Sequence, residues 1–568
     1  MSDPYAKRPW LLHYDAHVPP SLTYGEKTFA EQFAETAAEF PEKTALVYLG
    51  RDLTYRQLDA LSSSLARYLI DSGLEPGDVV GLHLPNLPAA YISVIAVQKA
   101  GGVSTGLSPL LTPHELEHQL NDSGARVVIT VDVLFAKLAE VAAKTRFRTA
   151  IVAEVGDFLP WPKRLLGKLL GRIPTGAVTP LEGKTVVRFR DALRNAPAAP
   201  VLVKRAMDDV IFLMYTGGTT GLAKGAMLTS RSYMSNWAQV TTWLDLGADD
   251  VALSAFPVFH IAGLALGGFS LLKGATQICV PNPRDTAALV ASMKAYRPTV
   301  VVNVPTIYFE LMKRDDFRAL DHSRLKWCLS AAAPFPREYF AELEGIIGEG
   351  RFLELYGMTE TSPVTCCNPR HGAKKAGSIG MPLTDTEVKL VDPETGELAA
   401  PGEPGELAIR GPQLMKGYHG KPGETAHAIR DGWMFTGDIA TMDDDGYLFL
   451  VDRLKDMVIV SGFKVFTREL DDALLQHPDV ALAASVGVPD PERPGSERVA
   501  AAVVLKPGVD ATPAVRESIT AHLRKVVAPY KVPRQIEFVD ELPTSGVGKI
   551  LKREVKRRMT AGDPAPPR

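Results

Sequence analysis

Short apolar runs alternate along the chain with segments whose apolar residues recur at helical spacing. The run ALVYLG (45–50) precedes TYRQLDALSSSLARYLIDSG, in which Leu58, Leu61, Leu65 and Leu69 fall on one helical face. DVVGLHLP (78–85) is followed by a second helical candidate, PAAYISVIAVQKAGG. RVVITVD (126–132), DVIFLMYTGGTT (209–220), ATQICVP (275–281), PTVVVNVP (298–305) and LKWCLSAAAP (325–334) continue the series. Strands that are apolar throughout need cover on both faces. The pattern therefore predicts buried, mostly parallel sheets between helices, an α/β architecture.

After Gly377 the texture changes. EVKLVD, GELAIRG, GYLFLVDR and DMVIVSGFKV read as strands separated by turn signals such as PGEPG and DDDG. TRELDDALLQHPDV, RVAAAVVLKPG, ATPAVRESITAHLRKVV and RQIEFVD then read as a small α+β unit. The expected organisation is a large multi-sheet N-terminal α/β domain ending in a β-rich subdomain (1–452), then a small mobile C-terminal α+β domain (453–568). The boundary is placed at Asp452–Arg453. A chain of 568 residues exceeds what one hydrophobic core organises, which independently calls for more than one domain.

Composition narrows the classes. Hydrophobic residues make up 46% and charged residues 23%, ordinary for a globular protein. A net charge of −3 leaves no electrostatic footprint for nucleic acid. From Arg453 onward, 19 Lys and Arg face 15 Asp and Glu, whereas the preceding part is net acidic. That asymmetry suits an anionic ligand, and ordinary surface variation explains it equally well. Cys279, Cys328, Cys366 and Cys367 form no CxxC pair and no interleaved histidine spacing, so no zinc site is expected and a reducing compartment fits. The N-terminus is polar and Pro-rich, without the apolar core of a signal peptide. The longest apolar run, Ile261–Leu272, has 12 residues, short of the about 20 that span a bilayer. A cytoplasmic protein is expected; the oligomeric state is not legible.

One segment stands apart, VGDFLPWPKRLLGKLLGRIPTG (155–176). Leu165, Leu166, Leu169 and Leu170 share a helical face, and Lys163, Arg164, Lys168 and Arg172 add positive charge. A short helix lying on an anionic membrane surface has this composition, placing the protein at the inner membrane face. A basic excursion packed on its own domain has it too.

Candidate chemistry begins at YTGGTTGLAKGAMLTSRS (Tyr215–Ser232), where glycines and threonines crowd one lysine and a helix-like run follows. A Walker A loop needs Gly and Lys adjacent, but Lys224 follows Ala223, so that match fails. Glycines still let backbone N–H groups turn inward, and hydroxyls add donors, so the loop suits a phosphate. A Gly-rich surface turn would read the same in isolation. YGMTE (356–360) sets an aromatic beside a hydroxyl and a carboxylate. GWMFTGD (432–438) ends in a carboxylate suited to a ribose diol. DRLKDMVIVSGFKV (452–465) joins a charged turn to a strand and a glycine, and PTSGVGKILKREV (543–555) carries Lys549 on a flexible loop.

In this order, from about residue 30 to 555, these stretches resemble the acyl-adenylate-forming (AMP-binding) superfamily, in particular bacterial long-chain fatty acyl-CoA synthetases. The resemblance implies a two-step ligase reaction. ATP and a carboxylic acid give an acyl-adenylate and pyrophosphate; the thiol of coenzyme A then displaces AMP to give a thioester. It also implies roles. Thr216, Gly217, Gly218, Thr219, Thr220, Gly221 and Lys224 would hold the β- and γ-phosphates. Tyr356 would stack near adenine, with Ala332 and Ala333 lining that pocket. Thr359 would contact the α-phosphate and Glu360 would hold Mg²⁺. Asp438 and Arg453 would bind the ribose hydroxyls, and Lys549 would bridge carboxylate and α-phosphate oxygens. Singly, each has a plainer reading: Tyr356 a core aromatic, Asp438 a turn cap, Lys549 one charge of a basic run. For the second step the resemblance implies rotation of the small domain about Lys455, bringing Gly462 of SGF against the pantetheine arm.

FPVFHIAGLALGGFSLLKGA (256–275) is similar to the family's acid-pocket stretch. His260 would guard the carboxylate end, or be a structural histidine. Gly263, Gly267 and Gly268 are small, and Leu264, Leu266 and Phe269 are apolar, with no Lys or Arg within 261–272. A roomy apolar tunnel for a fatty acid is the expectation. Two departures matter. Leu264 stands where some of these enzymes place a gating Trp, and SGFKVFTREL replaces a more usual Asn-Val-Tyr-Pro, so Lys464 and Thr467 bear on how the small domain docks. The competing functions are an aryl-CoA ligase of the coumarate or benzoate type, an adenylating enzyme that loads a separate carrier protein, and a nucleotide-binding regulator without catalysis.

Overall fold

The computed structural model describes residues 4–195, 201–216, 223–400, 402–460, 463–490, 497–545 and 549–561. Two units emerge from the contacts: Trp10–Glu387 with Arg410–Met434, and Met1–Pro9 with Val388–Ile409 and Phe435–Arg568.

The larger unit is built on two sheets. In the nine-stranded sheet, Phe352–Gly357, Trp327–Ser330, Val300–Asn303, Val251–Ser254, Thr276–Cys279 and Thr44–Tyr48 lie side by side and parallel. In the eight-stranded sheet, Val210–Thr216, Val103–Gly106, Val79–His83, Val127–Val131, Thr149–Ala153 and Thr185–Arg188 do the same. Both follow from composition. Val127–Val131 and Val300–Asn303 are buried at every residue, as strands covered on both faces must be. The helix Tyr55–Asp71 starts at a Thr54–Gln57 capping box and buries Leu58, Leu65 and Leu69. The helix Pro88–Lys99, with proline in its first turn, is buried all round, as its near-uniform apolar sequence requires.

The smaller unit has a sheet in which Trp433–Met442 runs antiparallel to Leu448–Arg453. Beyond it lie the hairpin Val458–Val460/Phe463–Val465 and a three-stranded sheet of Val480–Pro489, Glu497–Leu505 and Gln535–Phe538. Leu474, Ile519 and Leu523 from helices Thr467–Leu475 and Pro513–Val526 pack with Ala501, Val503 and Ile536 of that sheet. Val555 and Met559 of helix Lys552–Ala561 pack with Val486 and Ala502. The expected fold class, a large multi-sheet α/β part and a smaller part of strands and helices, is what forms.

Two local expectations change, and two segments gain detail. The run after the glycine loop is a strand first, Lys224–Thr229, with the helix Ser230–Trp243 beginning only afterwards. The Pro-rich N-terminus is anchored by two buried aromatics, Tyr5 and Trp10. The glycines of helix Ile261–Leu272 do not open a tunnel. A Cβ on Gly267 would sit 2.5 Å from the Tyr91 ring, and one on Gly268 would sit 2.4 Å from the Tyr233 hydroxyl. These glycines admit neighbouring aromatics, close packing that any side chain would block. Finally, the apolar face of helix Trp161–Leu169 is not packed on the domain: Leu165, Leu166, Leu169 and Leu170 are exposed, as is Trp161.

Candidate active site

In the larger unit, strands Val210–Thr216 and Lys224–Thr229 are antiparallel partners, and Thr216 pairs with Lys224 in register. The glycine loop is therefore the connection of a hairpin, unlike the strand-to-helix loop of a P-loop. Its members Gly217, Gly218, Thr219, Thr220 and Gly221 lie outside the described residues, as does Gly462. Both loop stems are anchored. Tyr215 donates its hydroxyl to Asp122 at 2.6 Å, and burial and that carboxylate raise its pKa, keeping it protonated.

Lys224 forms an ion pair with Glu424 and lies 5.6 Å over the Tyr418 ring. Tyr418 donates to Glu360 Oε1 at 2.7 Å. Burial, then the Glu360 charge, raise the Tyr418 pKa, so the phenol remains a donor. The segment that brings Tyr418 here is an edge strand. Gly417 and Tyr418 pair with Met227 and Ala226, His419 N–H donates to Gly225 C=O at 2.8 Å, and Met415 N–H donates to Glu360 C=O at 2.8 Å. No spacing or motif in the sequence marked Tyr418; only strand pairing across some two hundred residues places it.

Glu360 and Thr359 stand on a short helical turn after strand Phe352–Gly357, both buried, with Tyr356 buried at the strand end. The turn has no slack. A Cβ at Gly357 would lie 1.9 Å from the Pro363 carbonyl oxygen, and Thr361 Oγ1 donates to that oxygen at 2.6 Å. At the end of the adjacent strand, Ala332 adopts φ +70°, a left-handed conformation that costs a non-glycine residue about 1–2 kcal/mol. Ala333 beside it is half-buried.

His260 caps helix Ile261–Leu272: its Nδ1 accepts from the Ala262 N–H at 3.2 Å. An accepting Nδ1 assigns the proton of the neutral ring to Nε2. Close by, Val258, Phe259 and Leu264 join Leu82, Leu84 and Met214 in lining a narrow apolar cavity.

In the smaller unit, Asp438 and Arg453 are directly opposed across an antiparallel strand pair and form an ion pair at 2.9 Å. Asp438 is buried. Turn contacts fix both ends: Gly437 N–H donates to Glu406 Oε1 at 3.0 Å, and Leu454 N–H to Gly437 C=O at 2.9 Å. Lys549 sits on a closed loop in which its N–H donates to Ser545 Oγ at 3.1 Å and Ser545 N–H returns to Lys549 C=O at 2.7 Å. Its pKa is pushed down to about 8, first by burial and then by the cations Arg453 and Lys455, with Asp438 and Asp456 opposing. Lys455 is lowered as well, chiefly by desolvation. The sequence named Asp438, Arg453, Lys455 and Lys549 separately; the fold makes them one electrostatic group.

The described residues match known proteins along nearly the whole chain. The profile described as "AMP-binding enzyme" matches residues 33–419, and "AMP-binding enzyme C-terminal domain" matches 469–549. A long-chain-fatty-acid–CoA ligase of Bacillus subtilis (strain 168) is 38% identical over 563 residues, 98% of this chain and 99% of that protein. A feruloyl-CoA synthase of an Amycolatopsis species is 38% identical over 521 residues, 91% of this chain and 96% of that protein. Among solved structures, an anthranilate CoA ligase in complex with anthranoyl-AMP superposes with a TM-score of 0.83 at 26% identity, covering 95% of this chain and 98% of that one.

The electrostatic group gives a direct prediction. Only a neutral amine attacks an acylating or arylating reagent, so at pH 8 Lys549 should label faster than exposed lysines. Arg453→Met removes a cation and frees the Asp438 charge, so the Lys549 pKa should rise and its labelling at pH 8 should slow several-fold, read by peptide mass spectrometry. An unchanged labelling rate would refute the coupling.

Proposed function

The chain belongs to the AMP-binding enzyme family, and from that premise we propose that it is a fatty acid–CoA ligase acting on long-chain acids. The observation that carries the reading is the 38% identity, over 98% of the chain, to a long-chain-fatty-acid–CoA ligase. In the first step a fatty acid carboxylate oxygen bonds to the α-phosphorus of ATP and the bond to pyrophosphate breaks. In the second, the coenzyme A thiol attacks the acyl carbon and AMP leaves.

A carboxylate is a weak nucleophile and the α-phosphate it attacks is anionic, so the protein's task is positioning and charge neutralisation. In this reading Thr216, Lys224 and the glycine loop hold the departing β- and γ-phosphates. Tyr356, Ala332 and Ala333 receive adenine, Thr359 the α-phosphate, and Asp438 with Arg453 the ribose. Lys549 supplies the cation at the reacting oxygens. Its depressed pKa has a consequence: the ammonium form needed here is lost as pH rises through about 8. Glu360 suits Mg²⁺. Its carboxylate is buried and oriented by Tyr418, and no cluster of three His, Cys, Asp or Glu ligands occurs among the described residues. Magnesium held by one carboxylate plus substrate phosphates needs no such cluster. When bound there, the ion would neutralise phosphate charge. His260, with its Nε2–H, would meet the acid's carboxylate where the apolar cavity begins.

The likeness to a feruloyl-CoA synthase keeps an aryl acid as the second reading. Pyrophosphate release measured with C4 to C18 fatty acids, cinnamates and benzoate, with and without coenzyme A, separates the two. Greatest turnover on C12–C18 acids, with acyl-CoA as product, is expected. Turnover restricted to aryl acids, or adenylate accumulating despite coenzyme A, would overturn the proposal.

The exposed helix Trp161–Leu169 supports a peripheral contact with an anionic bilayer. Trp161 and Leu169 are each 75% exposed, Lys163 and Arg172 flank the leucine face, and Arg164 anchors the base of the segment to Glu154 at 2.7 Å. No helix among the described residues is long and apolar enough to cross a membrane, so this contact would lie along the surface. Vesicles containing phosphatidylglycerol should sediment the protein in low salt, and Leu166→Asp/Leu169→Asp should abolish that. Equal sedimentation of both proteins would remove the helix from the account.

A further inference from the structure

Three residues beyond Lys549, the tail is tied into the interior of its unit. Lys552 Nζ donates to the Thr467 hydroxyl at 2.6 Å and lies 2.6 Å from the Asp471 carboxylate. Thr467 is completely buried and opens helix Thr467–Leu475. Its hydroxyl donates onward to Asp452 at 3.0 Å, and its backbone N–H donates to the same carboxylate. Asp452 is itself buried and directly precedes Arg453, the partner of Asp438. A continuous hydrogen-bonded chain, Lys552–Thr467–Asp452, thus joins the segment carrying Lys549 to the strand carrying Arg453.

The chemistry of each member suits a tether. The threonine hydroxyl accepts from an ammonium and donates to a carboxylate, so it relays one charge to the other. Both hydrogen bonds involve an ionised partner and are of the stronger kind. The tether also spans the turn 454–456, with Asp452 on one side and Thr467 and Lys552 on the other.

We propose that Thr467 is a positioning residue for the adenylation step, its hydroxyl coupling Lys552 to Asp452 and so holding Lys549 beside the Asp438–Arg453 pair. The inference rests on the reading that Lys549 acts in adenylation and withdraws about Lys455 before thioester formation. Under it, the tether favours the first step and must release for the second.

Thr467→Val keeps the shape and the N–H and removes the relay. Single-turnover adenylation of a C16 fatty acid should slow about tenfold, as small misplacement of a reacting group costs. Thioester formation from added acyl-adenylate and coenzyme A should be unchanged or faster. Lys549 faces Arg453 and Lys455, which lower its pKa, and Asp438 and Asp456, which raise it. Loosened from burial and from those cations, it should lose its proton at higher pH, so the alkaline limb of adenylation should move upward. Thr467→Ser restores the hydroxyl and should restore both rate and limb. Equal losses in the two steps, an unmoved limb with unchanged adenylation, or failure of serine to rescue would overturn the proposal. If Thr467→Val does not fold, Asp452→Asn weakens the same link and the same outcomes apply. Wild-type adenylation by Lys549→Met would instead overturn the underlying reading of Lys549.

Discussion

Arg453, Lys455 and Lys549 are three cations gathered in one partly buried region of the smaller unit, and their mutual repulsion has to be borne by the fold. Like charges brought together out of bulk water repel strongly, and the least solvated group responds by releasing its proton more readily. Asp438 and Asp456 offset part of this repulsion, and the burial of Lys549 adds to it. Much of the local structure serves to keep that arrangement. Strand register opposes Asp438 to Arg453, a serine closes the Lys549 loop, and Lys552 is anchored to Thr467 and Asp471. A cation assembled at such expense suits a reaction in which two anions must meet.

In the larger unit, opposite charges are balanced around one aromatic side chain. Lys224 is balanced by Glu424 and stacked over Tyr418, while Tyr418 in turn orients Glu360. A positive and a negative group are thereby held through one aromatic side chain. The turn at Gly357 leaves no room for a side chain, and Ala332 holds a left-handed conformation that costs stability. Both lie at the C-terminal ends of neighbouring parallel strands, where open α/β sheets commonly bind ligands.

The continuous apolar runs read as parallel strands because burial on both faces leaves a simple trace in sequence. Asp438, Arg453, Glu360 and Lys549 stood out in the sequence because each sits in a short stretch that resembles a family pattern, and the fold brings Asp438, Arg453 and Lys549 together. Tyr418 was not: it reaches Glu360 only through pairing of two residues with a distant strand, and nothing local announces that. Thr467 was visible only as a departure from a pattern, and its partners Asp452 and Lys552 came from two separate elements. The glycines of Ile261–Leu272 misled because a small residue can leave space or admit a neighbour, and sequence does not distinguish these; Tyr91 and Tyr233 fill what would have been open.

In the proposed reaction, a lysine whose pKa is lowered by its surroundings would provide the charge that adenylation needs. The most direct test is the pH dependence of adenylation between pH 6.5 and 10 with acid and ATP well below saturation, where the rate reports the ionisations of the free enzyme. The rate should fall above pH about 8 on a single ionisation, and the fall should be absent from the residual rate of Lys549→Met. A wild-type rate that stays level to pH 10, or a limb at the same pH in Lys549→Met, would contradict it.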